Sequence, residues 1–341
     1  MTSVCLISFL GWASVVALTG MFRLHALKSN LLDHPNERSS HSAPTPRGGG
    51  VAIVASFLLL VVGLGLSGAI GLPLCIAVLG SGLLVAALGF VDDRSNVPAR
   101  WRFLGHALAA VWVLAWMGPV PPVPILGLMV DLGFGAVLLS ALYLVWSINL
   151  FNFMDGIDGI ASLEAIGVAL GGALVWWLVQ PAGDWPVALL FAACVGGFLV
   201  WNFPPARIFM GDAGSGFLGL IVALLALWSS RTTTHLFWSW FILGGCFMVD
   251  ATTTLVRRVR RGERFNVAHR SHAYQYAARQ YRSHKVVTLT VLAINTVWLT
   301  PLAVLVAVHA LDGVAGVLIA YAPLLWLALH YKAGDRAGQE P

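Results

Sequence analysis

The chain has 341 residues, of which 58% are hydrophobic and only 10% are charged, and its formal net charge is +5. Soluble domains contain about 45–50% apolar residues, so this composition excludes an ordinary soluble protein. Nucleic acid is excluded as a partner, because the chain has no basic, aromatic-rich soluble domain that would bind it.

Apolar runs that could cross a hydrocarbon layer of about 30 Å recur along the whole chain. Such spans must be helical, because backbone polar groups find no water in the bilayer core. The first run lacks a basic segment before it and a small-residue cleavage site, so it is expected to be a retained span and not a signal peptide. We therefore predict an all-α, polytopic membrane helix bundle. About eleven spans are expected, at 2–22, 48–67, 70–90, 102–118, 123–148, 160–180, 186–201, 214–229, 234–256, 286–309 and 311–331.

Lysine and arginine alternate strongly between the two predicted sides of the membrane. The odd-numbered loops and the C-terminal tail carry nearly all of them, whereas the even-numbered loops carry only Arg231. The positive-inside rule then predicts a cytoplasmic C-terminus and an external N-terminus. We expect one domain, 1–341, whose active site is formed by cytoplasmic loops 23–47, 91–101, 149–159, 202–213 and 257–285.

Polar residues cluster just beyond several apolar runs. Asp92 and Asp93 follow the third run, although adjacent acids are also common at a solvated helix end. In the next cluster, Asn149, Asn152, Asp155 and Asp158 follow one another at spacings of three. The first three share a helical face, and the glycines after them place Asp158 in a turn. Polar contacts between helices are the alternative explanation, but they need fewer polar residues than this.

Two further clusters follow on the same predicted side. Asn202 to Asp212 ends in a glycine-rich segment at the start of a span, where the backbone can approach a phosphate closely. The alternative is that Asp212 is a simple N-cap. His269-Arg270-Ser271-His272 lies in the large basic loop, where surface histidines are the alternative. Because all clusters share one side, we expect a single site that holds a metal or a phosphorylated substrate.

In chain order these motifs resemble a known family. They are Pro44-Thr45-Pro46-Arg47-Gly48-Gly49, Asp92-Asp93, the Asn149 to Gly159 series, Asn202 to Asp212, and His269 to His272. The pattern is similar to the polyprenyl-phosphate N-acetylhexosamine-1-phosphate transferases over residues 33 to 285. The resemblance implies that a UDP-N-acetylhexosamine gives its sugar-1-phosphate to undecaprenyl phosphate, with release of UMP. It also implies Mg²⁺ as cofactor, with Mn²⁺ as a substitute, and a location in the bacterial inner membrane.

The resemblance implies roles for individual residues. Asp212 and Asp155 would hold the metal. Asp92 and Asp93 would act on the lipid phosphate, either as a base or as further metal ligands, and both roles remain open. Together with Asp212 they are the predicted catalytic residues. The predicted substrate-binding residues are Arg47, Asn149, Asn152, Asp158, Asn202, His269, Arg270 and His272.

The last motif bears on the branch of the family. Pentapeptide transferases carry consecutive histidines here, whereas this chain has His269-Arg270-Ser271-His272. This favours the branch that initiates O-antigen over phospho-N-acetylmuramoyl-pentapeptide transfer. The sugar is left open among GlcNAc, GalNAc, QuiNAc and FucNAc, and a homodimer is one open expectation for the oligomeric state. A secondary transporter of an anionic solute would have its polar residues at the membrane midplane, and an inert scaffold would not need the acids.

Overall fold

The computed structural model describes residues 2–29, 32–33, 44–95, 97–263 and 269–335. Parts of the predicted site loops 23–47, 91–101 and 257–285 therefore lie outside the described residues. The α-helices in chain order are α1 (Thr2–Lys28), α2 (Gly50–Leu66), α3 (Leu72–Ser95), α4 (Ala99–Met117), α5 (Phe134–Met154), α6 (Ile160–Val179), α7 (Trp185–Asn202), α8 (Asp212–Ser230), α9 (His235–Leu243), α10 (Gly245–Arg260), α11 (Ala273–Tyr281), α12 (His284–Ile294), α13 (Thr300–Ala307) and α14 (Gly313–His330).

The predicted class, an all-α membrane protein with many spans, is confirmed. The predicted number of spans is not. Eight of the described helical segments are long and apolar enough to cross a membrane, and α9 with α10 makes nine if the two count as one span bent by 71°. The count of eleven is not confirmed, partly because α2 is shorter than these helices. A π-helical turn, Asn295–Leu299, joins α12 and α13 into one continuous span. The orientation of the spans remains a prediction.

Within the described residues, four short strands interrupt the helical pattern. Strand β1 (Leu32–Asp33) pairs with β2 (Thr45–Pro46), and β3 (Val123–Ile125) pairs with β4 (Leu128–Val130), both antiparallel. The prediction of one span over 123–148 is therefore wrong at its beginning, because the helix starts only at Phe134. Pro124 has no N–H for a helical bond, and Gly127 at φ +82° turns the chain back.

Helix α8 lies at the centre of the bundle. Its residues from Ala213 to Ser230 are all buried, and it packs against α3 and α5. Glycines allow this contact: a side chain at Gly219 would collide with the Ser147 carbonyl of α5, and one at Gly89 would collide with the backbone of Asp212. Close approach through small residues is typical of helices packed in a bilayer. The packing brings the start of α8 against the ends of α3 and α5.

Candidate active site

Arg47 lies between two of the predicted catalytic acids. Its Nη2 atom is 2.7 Å from Asp93 Oδ1 and 3.2 Å from Asp212 Oδ1. The strand before it is held in place, because the Phe209 N–H donates to the Pro46 carbonyl at 2.8 Å. Burial alone would lower the pKa of Arg47, but the two carboxylates raise it above its ordinary value. This contact joins the 44–49 motif to the start of α8.

Asp93 caps a helix that lies far from it in sequence. The N–H groups of Asp212 and Ala213 donate to its carboxylate at 3.0 and 3.4 Å. Gly211 occupies the N-cap position of α8, at φ +78°. The alternative interpretation of Asp212 as an N-cap is therefore wrong: Asp93 satisfies the helix start, and the Asp212 carboxylate remains available to the site.

Asp92 points to a different set of partners. It is buried, and its Oδ2 atom lies 2.6 Å from Arg102 Nη1 on α4, while Oδ1 accepts from the Val97 N–H at 2.7 Å. It borders a small cavity whose polar lining consists of Asp92, Arg102, His106, Asn149, Asn152 and Asp212. The two adjacent acids, which the sequence treats as a pair, thus face different neighbours.

The amides of α5 lie on one face, as predicted. Asn149 Nδ2 donates to the Val145 carbonyl at 2.7 Å, and Asn152 Nδ2 donates to Ser215 Oγ at 3.2 Å. The prediction that Asp155 shares this helical face is wrong, because the helix ends at Met154 and Asp155 is the first residue beyond it. Burial, followed by the nearby Asp212 carboxylate, raises the pKa of Asp155 to about 7. We call Asp92, Asp93, Asp155 and Asp212 the acid cluster.

Asp158 and Asn202 hold the loops of the site together. Asp158 Oδ2 accepts from the Ala206 N–H at 3.1 Å and lies 3.3 Å from His284 Nδ1. Asn202 is buried; its amide oxygen accepts from the Gly159 N–H and its nitrogen donates to the Ile208 carbonyl, both at 3.0 Å. Asn202 can touch a nucleotide directly only by leaving these partners, so here it positions the loops.

Residues 269–272, the histidine segment, range from buried to exposed: His272 is buried, His269 and Ser271 are half-buried, and Arg270 is exposed. His272 is 3% exposed and its Nδ1 atom lies 3.3 Å from Asp250 Oδ1 on α10. His269 stacks on His272 with the ring centroids 4.9 Å apart. Burial, and then the neighbouring His272, lowers the pKa of His269 to about 3, so this imidazole is neutral at physiological pH. Arg270 is the exposed member. The alternative of a surface histidine is therefore wrong for His272, whereas His269 is half-buried.

The first turn of α11 joins the histidine segment to the acid cluster. Tyr274 Oη donates to the Phe153 carbonyl at 3.2 Å. A side chain at Gly156 would collide with Tyr274 and would crowd Gln275. Gly156 is thus required for close approach. The contact places the histidine segment beside the loop that contains Asp155.

Comparison with known proteins connects this arrangement to one family. The model for glycosyl transferase family 4 matches residues 75–230. A probable undecaprenyl-phosphate N-acetylglucosaminyl 1-phosphate transferase of Bacillus subtilis is 30% identical over 297 residues, which cover 84% of this chain and 80% of the relative. The chain belongs to glycosyl transferase family 4. The predicted superfamily is therefore confirmed.

Further relatives of this family 4 protein come from two branches. A decaprenyl-phosphate N-acetylglucosaminephosphotransferase of Mycolicibacterium smegmatis is 32% identical over 71% of this chain and 66% of the relative. A phospho-N-acetylmuramoyl-pentapeptide-transferase of Moorella thermoacetica is 33% identical over 70% of this chain and 76% of the relative. Overall identity does not separate the two branches.

The donor groups of this family 4 site suit Mg²⁺. Within the described part of the chain, no three Asp, Glu, His or Cys side chains are grouped so that they could hold one metal ion. Mg²⁺ in phosphoryl-transfer sites usually takes only one or two carboxylates and completes its shell with water and substrate phosphates. Burial, and then the Asp212 carboxylate, raise the pKa of Asp155, so a cation beside these two acids would stabilise their charged forms. Asp212 and Asp155 therefore fit as the protein ligands.

Several residues of the site receive no specific role from the sequence. Asp250 is a lone acid in an apolar run, and nothing in the sequence pairs it with His272. Tyr274 lies beside a recognised motif but was given no role. Arg102 and His106 are four residues apart and so share a face of α4. This spacing could have predicted that they lie together in the site.

Proposed function

We propose that this protein transfers N-acetylhexosamine-1-phosphate from a UDP-sugar to undecaprenyl phosphate and releases UMP. An oxygen of the lipid phosphate attacks the β-phosphorus of the UDP-sugar. The bond from that phosphorus to the bridging oxygen breaks, and the oxygen leaves with UMP. The proposal rests on the meeting of the acid cluster with the histidine segment at one end of a membrane bundle. The names of two relatives include undecaprenyl or decaprenyl phosphate, which supports a lipid phosphate as acceptor.

The chemistry requires positioning more than proton removal. A phosphate monoester has a second pKa near 6, so the acceptor is largely dianionic and nucleophilic at neutral pH. The larger obstacle is its repulsion from the diphosphate of the donor. Mg²⁺, held by Asp212 and Asp155, would neutralise part of the phosphate charge. Asp93 fixes the start of α8 and so the place of Asp212, while Asp250 orients His272.

We place the site on the cytoplasmic side of the bacterial inner membrane. The loops that form it belong to the predicted basic, cytoplasmic set. Nucleotide sugars are water-soluble, whereas the acceptor stays in the bilayer, so a site at the membrane surface can receive both. The acids gather at one end of the bundle and not at its middle, which disfavours the transporter.

Initiation of O-antigen or a related surface polysaccharide is the pathway we favour, because the histidine segment lacks a run of histidines. Pentapeptide transfer is the second candidate, because a relative of that name is 33% identical over 70% of this chain.

Purified protein, undecaprenyl phosphate and Mg²⁺ would be incubated with labelled UDP-GlcNAc, UDP-GalNAc, UDP-QuiNAc, UDP-FucNAc or UDP-MurNAc-pentapeptide. We expect UMP release and label in lipid with one of the first four sugars. Transfer of only the pentapeptide donor would select the second candidate, and no transfer at all would refute the proposal.

A further inference from the structure

Helix α4 contributes a polar wall to the cavity beside Asp92. Arg102 and His106 are one helical turn apart, and both line this cavity. Helix α4 packs against α3 and α5, which carry Asp92 and Asn149. The wall of α4 therefore presents basic side chains opposite the carboxylates of Asp92 and Asp212.

Hydrogen bonding determines which nitrogen of His106 carries its proton. The amide of Asn149 is oriented by donation from Nδ2 to the Val145 carbonyl at 2.7 Å. The same Nδ2 atom lies 3.3 Å from His106 Nδ1. An amide nitrogen can only donate, so His106 Nδ1 is the acceptor and the proton of the ring is on Nε2. His106 thus lines a cavity that also contains a guanidinium, and the one N–H that its ring can donate is on Nε2. Phosphate oxygens accept hydrogen bonds from such groups.

The other face of α4 is apolar and exposed. Its large side chains Trp101, Phe103, Leu104 and Leu108 are each between 46% and 60% exposed, as expected for residues that face lipid. The Arg102–His106 wall and this lipid-facing surface belong to the same helix, so the wall lies one helix diameter, ~10 Å, from the lipid. This short distance favours a ligand whose phosphate binds at the wall while its tail stays in the bilayer.

We propose that His106 is a substrate-binding residue that donates from Nε2 to a phosphate oxygen of the polyprenyl-phosphate acceptor, beside the charge of Arg102. The identity of the acceptor rests on the proposed function, but the binding of a lipid phosphate at this wall does not require turnover. Asn149 then acts through His106 as a positioning residue, because its amide keeps the ring proton on Nε2.

The test compares His106→Phe with His106→Gln. Phenylalanine keeps a flat ring and removes both nitrogens, whereas glutamine keeps an N–H group near the place of Nε2. His309→Phe is the matched control, because His309 is exposed in the turn between α13 and α14 and does not line the cavity. Binding of farnesyl phosphate, farnesol, inorganic phosphate and UDP-GlcNAc would be measured by titration of the purified proteins in detergent, together with thermal unfolding.

We expect His106→Phe to weaken farnesyl phosphate binding by about tenfold, the effect of losing one hydrogen bond to a charged group. His106→Gln should stay within about threefold of wild type, because it retains the donor. Farnesol should bind weakly to all proteins, and UDP-GlcNAc binding should be unchanged in all. His309→Phe should behave as wild type.

Several results would overturn the proposal. These are unaltered farnesyl phosphate binding in His106→Phe, an equal loss of UDP-GlcNAc binding, or equal damage in both His106 variants with lower thermal stability. Wild-type protein that binds no farnesyl phosphate would also overturn it. If inorganic phosphate binding alone responds to His106→Phe, the wall recognises phosphate without its lipid, and the acceptor assignment is wrong. If the expected binding pattern is found in a protein that uses no UDP-sugar, the proposed function fails and this assignment stands.

Discussion

The acid cluster and the histidine segment lie side by side, but their charged groups have different kinds of partners. The acid cluster gathers four carboxylates around Arg47 and Arg102, and the pKa of Asp155 is raised to about 7. The histidine segment has partners of its own: Asp250 accepts from the Ala273 and Tyr274 N–H groups, each at 3.0 Å, and the Ser271 carbonyl accepts from the Gly334 N–H at 2.6 Å. The first region holds four carboxylates against two guanidinium groups, so a cation would balance its charge, whereas in the second region the Asp250 carboxylate already has His272 and two N–H groups as partners.

The largest expected effect is on the acid cluster. Asp212→Asn keeps the shape of the side chain and removes one charge, so we expect at least a hundredfold loss of turnover, about 2.7 kcal/mol of transition-state stabilisation. Thermal unfolding should remain close to wild type, because Asp93 and not Asp212 caps α8. Asp131→Asn, in an exposed turn, is the control and should retain full activity. A rate above about a tenth of wild type in Asp212→Asn would show that Asp212 holds no metal.

The second prediction separates the adjacent acids. Asp92→Asn should raise the KM for polyprenyl phosphate by about tenfold, because Asp92 faces the wall of α4 and its ion pair with Arg102 is partly buried. Asp93→Asn should instead lower stability by about 1 kcal/mol, because it weakens the cap of α8. Steady-state kinetics with each substrate would measure the KM values of both variants, and thermal unfolding would measure their stabilities. The same changes in KM and stability in both variants would contradict the different roles of Asp92 beside α4 and Asp93 at the start of α8.

The third prediction concerns pH and Mg²⁺. The pKa of Asp155 is raised to about 7 by burial and by Asp212, so below pH 7 this carboxyl is increasingly protonated in the folded protein. Mg²⁺ must then displace a proton, and its apparent affinity should fall by about tenfold per pH unit well below that pKa. The Mg²⁺ dependence of activity from pH 8 to pH 5.5 tests this. Asp155→Asn should lose the slope. A slope that persists in this variant would assign the proton to another group.

The smallest expected effect is in the histidine segment. Asp250→Asn keeps one oxygen to accept an N–H but weakens the orientation of His272, so we expect the KM for the UDP-sugar to rise by about five- to tenfold with little change for the acceptor. Asp312→Asn is the matched control, because Asp312 accepts from two N–H groups at the start of α14 in the same way. Both variants should lose about 1 kcal/mol of stability. If both raise the KM equally, Asp250 is only a cap.

Much of this molecule follows from its sequence alone. Long apolar runs determine a helical membrane protein, because an unpaired backbone cannot cross a bilayer. The spacing of Asn149 and Asn152 places them on one face of α5, and the glycines after them predict the break beyond Met154. These are properties of single segments, and they do not depend on which other helices a segment packs against.

Only the tertiary structure decided which side chains meet. Asp92 and Asp93 diverge because successive residues on a helix point about 100° apart, but their partners Arg102 and Arg47 depend on how α3 packs against α4 and α8. The pairing of Asp250 with His272 depends on the placement of α11 against α10, and the contact of Tyr274 depends on the missing side chain of Gly156. Such contacts join residues distant in the chain, and periodicity within one helix contains no information about the rotation of its neighbour.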